Sequence, residues 1–158
     1  MSGQPSLRVS SLYNGRSVGA EAFYEQYTMN GYWLAGVQGN LYKANLSSGH
    51  QLDYMHALVQ GGYSFRIAGT RSRSLNVYAC AGVHAGVEVL DVWQSLPSYI
   101  SLGKGRYAFI YGINGAGLLE WFVGKRFALL LEAGAPVTFG SAAGAINWNV
   151  GLGLKWNL

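Results

Sequence analysis

Charge is what this 158-residue chain has least of. Asp, Glu, Lys and Arg make up 11% of it, against about 25% in ordinary soluble domains. A water-facing surface needs polar groups to cover it, and this chain has few. Three further scarcities narrow the reading. There is one cysteine, Cys80, so an internal disulfide is excluded. There is no uninterrupted apolar run of about 18 residues, so a transmembrane helix is unsupported. Helical periodicity is hard to find anywhere. The net charge is +4, but the basic residues are scattered or sit in turns, as in RIAGTRSR and GKR. They do not cluster with aromatics on one face, so no direct nucleic-acid binding is expected. No cleavable export signal is visible. Met1-Ser2-Gly3-Gln4 reads as an engineered start, and residues 1–5 as a tail, on a mature chain whose signal peptide has been removed.

What the chain has instead is glycine, aromatics and strict alternation. It contains 23 Gly and 14% aromatic residues. In LNVYACAGVHAGVEVL, residues 75–90, every odd position from Leu75 to Val89 is apolar, and the even ones include Asn76, His84 and Glu88. Side chains on a strand point alternately to its two faces, so this is a long strand with one apolar and one polar face. The same pattern recurs at 6–13, 16–27, 32–43, 54–66, 107–122, 126–138 and 146–158. Eight strands result, several longer than the five or six residues common in soluble proteins. After an Asn14-Gly15 hairpin signal, short and long connections alternate. That is the pattern of an up-and-down barrel with short turns at one end and long loops at the other.

Two barrels fit: a soluble lipocalin-like one with its apolar face inward, and a membrane barrel with that face outward. The polar face favours the second. It carries Gly82, Gly86, Gly112, Gly134, Gly151 and Gly153 beside its large polar residues, as a narrow interior needs. By parity it also collects the charges within strands, of both signs, including Arg8. Aromatics on the apolar face gather at strand ends. Tyr63, Phe65, Trp121, Phe127 and Trp156 lie near the short turns, and Tyr107, Phe109 and Trp148 near the long loops, as in the two interfacial girdles of a membrane barrel. The expected fold is all-β: an eight-stranded antiparallel up-and-down transmembrane β-barrel, a single domain over 1–158. Its expected surroundings are a lipid bilayer, with the protein monomeric in detergent.

The stretches GVEVLDVW, AFIYGINGAGLLE, GKRFALLLEAG and VGLGLKWNL resemble the TraO family of conjugative-transposon proteins, in order and spacing. GRSVGAEAFYEQY and WLAGVQGNLYK extend the resemblance back to about Arg16. It implies an exported barrel of the bacterial outer membrane, encoded with a conjugative transfer apparatus and possessing other transfer proteins as potential partners. It implies no catalytic residues and no cofactor.

Several constellations invite chemistry. His56, His84 and Glu88 share the polar face and could form a base or metal pair, but no metal-ligand spacing accompanies them. Glu120 and Glu132 flank the VGKR turn, with Lys155, Arg126 and Arg66 as expected partners. Together with Glu21, Glu25 and Asn114, these inward residues read as an interior hydrogen-bond and ion-pair network, and Cys80 as a small interior residue. GINGAG, residues 112–117, lies mid-strand with no helix after it, so it is not a phosphate loop. In the longest connection, Trp93, Leu96, Tyr99 and Ile100 are apolar residues for folding over the mouth or meeting a partner. The reading is a non-enzymatic component of conjugative transfer. The alternatives are a lipid-modifying membrane enzyme and a structural or adhesion-type barrel.

Overall fold

The computed structural model describes residues 3–45, 51–72, 74–90, 107–141 and 146–158. They form nine strands: β1 (Pro5–Tyr13), β2 (Ser17–Tyr27), β3 (Gly31–Asn45), β4 (Gln51–Gly69), β5 (Leu75–Leu90), β6 (Tyr107–Val123), β7 (Phe127–Gly134), β8 (Val137–Phe139) and β9 (Asn149–Asn157). Consecutive strands from β1 to β7 pair antiparallel, β8 pairs with β6, β9 pairs with β7, and β9 returns to pair with β1. Nine strands fill eight positions, because β7 and β8 are one barrel strand read twice. The sequence pattern runs unbroken over 126–138, but Pro136 has no N–H to give the ladder. Register carries straight across the gap, since Gly134 opposes Ala116, Ala135 N donates to Gly115 O, and Val137 opposes Ile113. Likewise the regular ladder of the last strand is confined to β9, with one isolated bridge, Val137 to Ile146, ahead of it.

Ladder partners lead once round the barrel from Leu7 through Tyr24, Ala35, Gly61, Val83, Ile113 and Val137 to Ile146. Extending the β1/β9 register from Tyr13 opposite Val150 brings the path back to residue 17, ten positions beyond its start. Such a stagger tilts the strands, and with eight of them the interior is just wide enough for side chains.

The two faces separate cleanly. Val59, Val83, Ile113, Leu152 and Leu154 point outward and are exposed, while Arg8, Glu25, Glu88, Glu120 and Lys155 point inward and are buried. A water-soluble barrel is built the other way round. With no helix among the described residues, a closed antiparallel sheet with an apolar exterior is the one kind of β-structure that can satisfy its backbone within hydrocarbon. The 28–30 and 124–126 connections, and the one from Gly69 to Leu75, share the end of the barrel where β1 begins and β9 ends, and there Leu158 N donates to Pro5 O at 3.0 Å.

Close approach decides some interior positions. A Cβ on Gly36 would lie 2.5 Å from Phe23 Cδ1 and 2.8 Å from its Cγ, whereas nothing lies within 4 Å of one on outward-facing Gly117. Gly36→Val should destabilise the barrel by about 1–3 kcal/mol through overpacking, seen as a lower urea midpoint and a weaker compact band on unheated gels. Gly117→Val should leave both unchanged.

Candidate functional site

Inward-pointing side chains fill the barrel in layers. The layer nearest the short turns is ionic. Register sets Arg8 directly opposite Lys155, so two cations face each other across the β1/β9 seam. Unscreened, that pair would be unfavourable. Four glutamates from three other strands surround it. Lys155 Nζ lies 2.6 Å from Glu25 Oε2 and 2.5 Å from Glu120 Oε1. Arg8 donates from Nη2 to Glu21 Oε1 at 2.9 Å, and approaches Glu132 at 3.4 Å and Glu25 at 3.6 Å. Aromatics complete the cage, with the Arg8 guanidinium 4.3 Å above the Phe23 ring and Lys155 Nζ 4.1 Å above that of Tyr32. Tyr27 donates to Glu120 Oε1 and receives Lys155 Nζ.

Above this lies an amide chain. Asn114 Nδ2 donates to Gln60 Oε1 at 2.9 Å, and Gln60 Nε2 donates to Gln38 Oε1. The layer nearest the long loops is aromatic and acidic. His56 and Glu88 are ladder partners on β4 and β5, with His56 Nε2 2.8 Å from Glu88 Oε2. Ser141 Oγ donates to the same carboxylate oxygen at 2.5 Å. Tyr42 and Tyr54 stack at 4.8 Å, and His56 tilts onto Tyr42 at 4.7 Å. His84 does not join this group; its Nε2 is 3.1 Å from Thr138 Oγ1. The carboxylate thus stands between hydroxyl and imidazole, and the imidazole of a Ser–His nucleophile–base pair would have to stand in the middle instead. Among the described residues no three His, Cys, Asp or Glu side chains converge as a metal-binding group.

The structure therefore brings Glu21, Glu25, Glu120, Glu132 and Lys155 into one cluster, His56 and Glu88 into a second, and leaves Asn114 in the layer between. Two partners expected for Glu120 and Glu132 are elsewhere. Arg126 is exposed in its turn, and Arg66 sits at the short-turn mouth, donating from Nε to Asn76 Oδ1 at 2.9 Å. Glu132 goes to Arg8, which parity turns inward but which sequence spacing does not match to any carboxylate. Tyr27, Gln38, Gln60, Thr138 and Ser141 are further network members; parity turns the first four inward without naming their partners, and Ser141 lies in the 139–145 connection, where parity says nothing. Cys80 is inward and half-buried, receiving a hydrogen bond from Ser64 Oγ.

On the outside, Phe65, Trp121, Phe127 and Trp156 are exposed near the short turns, and Tyr107, Phe109 and Trp148 near the long loops. Tyr63 packs edge-on against both Phe65 and Trp33, and Phe127 stacks on Trp156. Tyr111 and Phe139 extend the outer set beside Phe109. Trp93, Leu96, Tyr99 and Ile100 lie outside the described residues.

A family model described as conjugative transposon protein TraO matches residues 10–158. No curated protein matches the chain. Among solved structures, the N-terminal β-barrel domain of Pseudomonas aeruginosa OprF is similar with a TM-score of 0.64 at 12% identity, covering 99% of this chain and 98% of that one. Neisserial surface protein A gives 0.63 at 9% identity, covering 98% and 95%. Ail, the attachment invasion locus protein of Yersinia pestis, solved with the heparin analogue sucrose octasulfate, gives 0.57 at 12% identity, with both chains fully covered. At these identities the likeness is one of fold, the transmembrane β-barrel.

The ammonium between two carboxylates generates a test. Lys155→Met takes the ammonium from between Glu25 and Glu120, leaving Glu25 with Arg8 alone and Glu120 with no cation, and should destabilise the barrel by about 3–5 kcal/mol. Adding Glu120→Gln should recover part of that loss. Urea midpoints in liposomes measure both.

Proposed function

This chain belongs to the TraO family of conjugative transposon proteins, and we propose that it serves such an element as a closed, non-enzymatic barrel of the bacterial outer membrane. The observation that carries this reading is the filled lumen. Lys155, Arg8 and four glutamates occupy one layer, the Gln38–Gln60–Asn114 chain the next, and the His56–Glu88 pair with Tyr42 and Tyr54 the last. A protein whose interior is given over to holding itself together works through its surfaces. The outward aromatic belts, half-buried Tyr63 with Phe65, Trp121, Phe127 and Trp156 on one side and Tyr107, Phe109 and Trp148 on the other, would seat it at the two membrane interfaces. The short connections would then face the periplasm and the long ones the cell exterior. Its role in transfer is to offer other transfer proteins a fixed point in the outer membrane, with Trp93, Leu96, Tyr99 and Ile100 in the longest loop as contact residues. Each protein is inserted as a monomer.

The lipid-modifying alternative is disfavoured by the order of groups at Glu88, where the carboxylate separates Ser141 from His56.

Refolded into planar bilayers, the protein should give no large, stable conductance, and its unheated gel mobility should differ from its heated mobility. Steady open-channel currents would overturn the filled-lumen reading. From cells carrying the element, the tagged protein should copurify with other transfer proteins out of the outer-membrane fraction, and recovery without detergent would argue against it.

A further inference from the structure

The short-turn mouth of the barrel opens into a cavity of about 610 Å3, within the size range of ordinary ligand pockets. Nothing in the filled lumen requires it. Tyr27 and Tyr78 form its floor, Ser72 and Ser74 supply hydroxyls, and Arg66 and Lys125 supply charge. Met29, 90% exposed, forms an apolar lip. The charge around it has one sign. The described residues of the connections at this end and beside them carry Arg66, Arg71, Lys125 and Arg126 and no Asp or Glu. The nearest glutamates, Glu25 and Glu120, lie below the floor and are held by Lys155.

Arg66 is placed for the site by two features. A register shift in the β4/β5 ladder falls between Arg66 and Ala68, and bulges of this kind re-aim side chains at barrel rims. Its Nε–H is then tied to Asn76 Oδ1. A guanidinium has five N–H donors, so this bond orients the group without exhausting it and fits it to take a carboxylate in fork geometry.

We propose that this cavity receives an acidic, partly apolar peptide segment of a periplasmic partner protein. The inference rests on the orientation proposed above, which turns this mouth toward the periplasm. Charge complementarity selects carboxylates, the lip and aromatic floor select apolar side chains, and the hydroxyls suit a peptide backbone. A nucleic-acid strand fits less well. Tyr27 and Tyr78 are both packed edge-to-face on Tyr32, so they form a fixed floor in place of free stacking platforms.

The probe is a fluorescein-labelled peptide of alternating Glu and Leu, titrated by anisotropy against the purified protein in neutral detergent. Saturable binding is expected, weakened about tenfold by either Arg66→Gln or Lys125→Gln. Arg16→Gln and Lys43→Gln, at the opposite end, should not change it. Lys125 is an exposed turn residue, so that variant stays informative if Arg66→Gln folds poorly, and heat-modifiable mobility checks the folding of each. The proposal is overturned by absent saturation, by equal binding of a Gln–Leu peptide, or by equal weakening from the opposite-end variants. Tighter binding of a single-stranded oligonucleotide at the same residues also overturns it, assigning the mouth to nucleic acid. Orientation is read separately, by labelling Ser72→Cys in a Cys80→Ser background with a membrane-impermeant maleimide. Reaction only after the outer membrane is permeabilised supports a periplasmic partner. Reaction in intact cells removes that partner, whatever the peptide titration gives.

Discussion

Every barrel strand here has a hydrogen-bonded neighbour on both sides, and the rest of the molecule follows from that closure. In hydrocarbon an unpaired N–H or C=O has no water to turn to, so an open edge is not tolerated. Closing eight strands with a stagger of ten residues fixes the bore, and the bore fixes what can go inside. There is room for side chains and little else. Because the outer face must be apolar, the polar residues of each strand have the interior as their place. The inward glycines then follow from space: where Phe23 leans over β3, residue 36 has room for no side chain.

The same narrowness explains why the interior charges come in clusters. An isolated buried charge is very unfavourable, so each must find an opposite charge or a donor within reach. Arg8 and Lys155 are ladder partners, and neither would be tolerated beside the other without Glu21, Glu25, Glu120 and Glu132 from β2, β6 and β7. The network also ties those three strands to the β1/β9 seam through side chains as well as through the ladder. At the other end the single pair of His56 and Glu88 acts between adjacent strands, and the layer is completed by tyrosine rings.

Much of this was legible in the sequence, for a reason that also marks the limit. Alternation reports which face a residue takes, and it does so residue by residue. It separates Glu88 from Val87 and Lys155 from Leu154 without reference to any other strand. It does not report height along the barrel axis relative to other strands, because that depends on accumulated stagger. Hence the sequence offers Lys155, Arg126 and Arg66 as partners for Glu120 and Glu132, whereas the closed barrel brings Arg8 from the far end of the chain to Glu132. Parity groups His56, His84 and Glu88 on one face, but ladder pairing joins only His56 to Glu88, and His84 reaches past its ladder partner Gly112 to Thr138. The break at Pro136 was legible in principle from a residue that cannot donate. It was masked by the apolar alternation that continues through it.

The seam between β1 and β9 has a consequence for how such a protein comes into being. β1 is made first and β9 last, and each supplies the other's missing edge. Until the final strand arrives, the first carries a row of bare amides and an outward-facing apolar stripe. No shortened version is a smaller barrel; it is an open sheet with two sticky margins. The molecule is thus indivisible in a way that bead-like repeat proteins are not. Its two margins become paired only when the last strand meets the first.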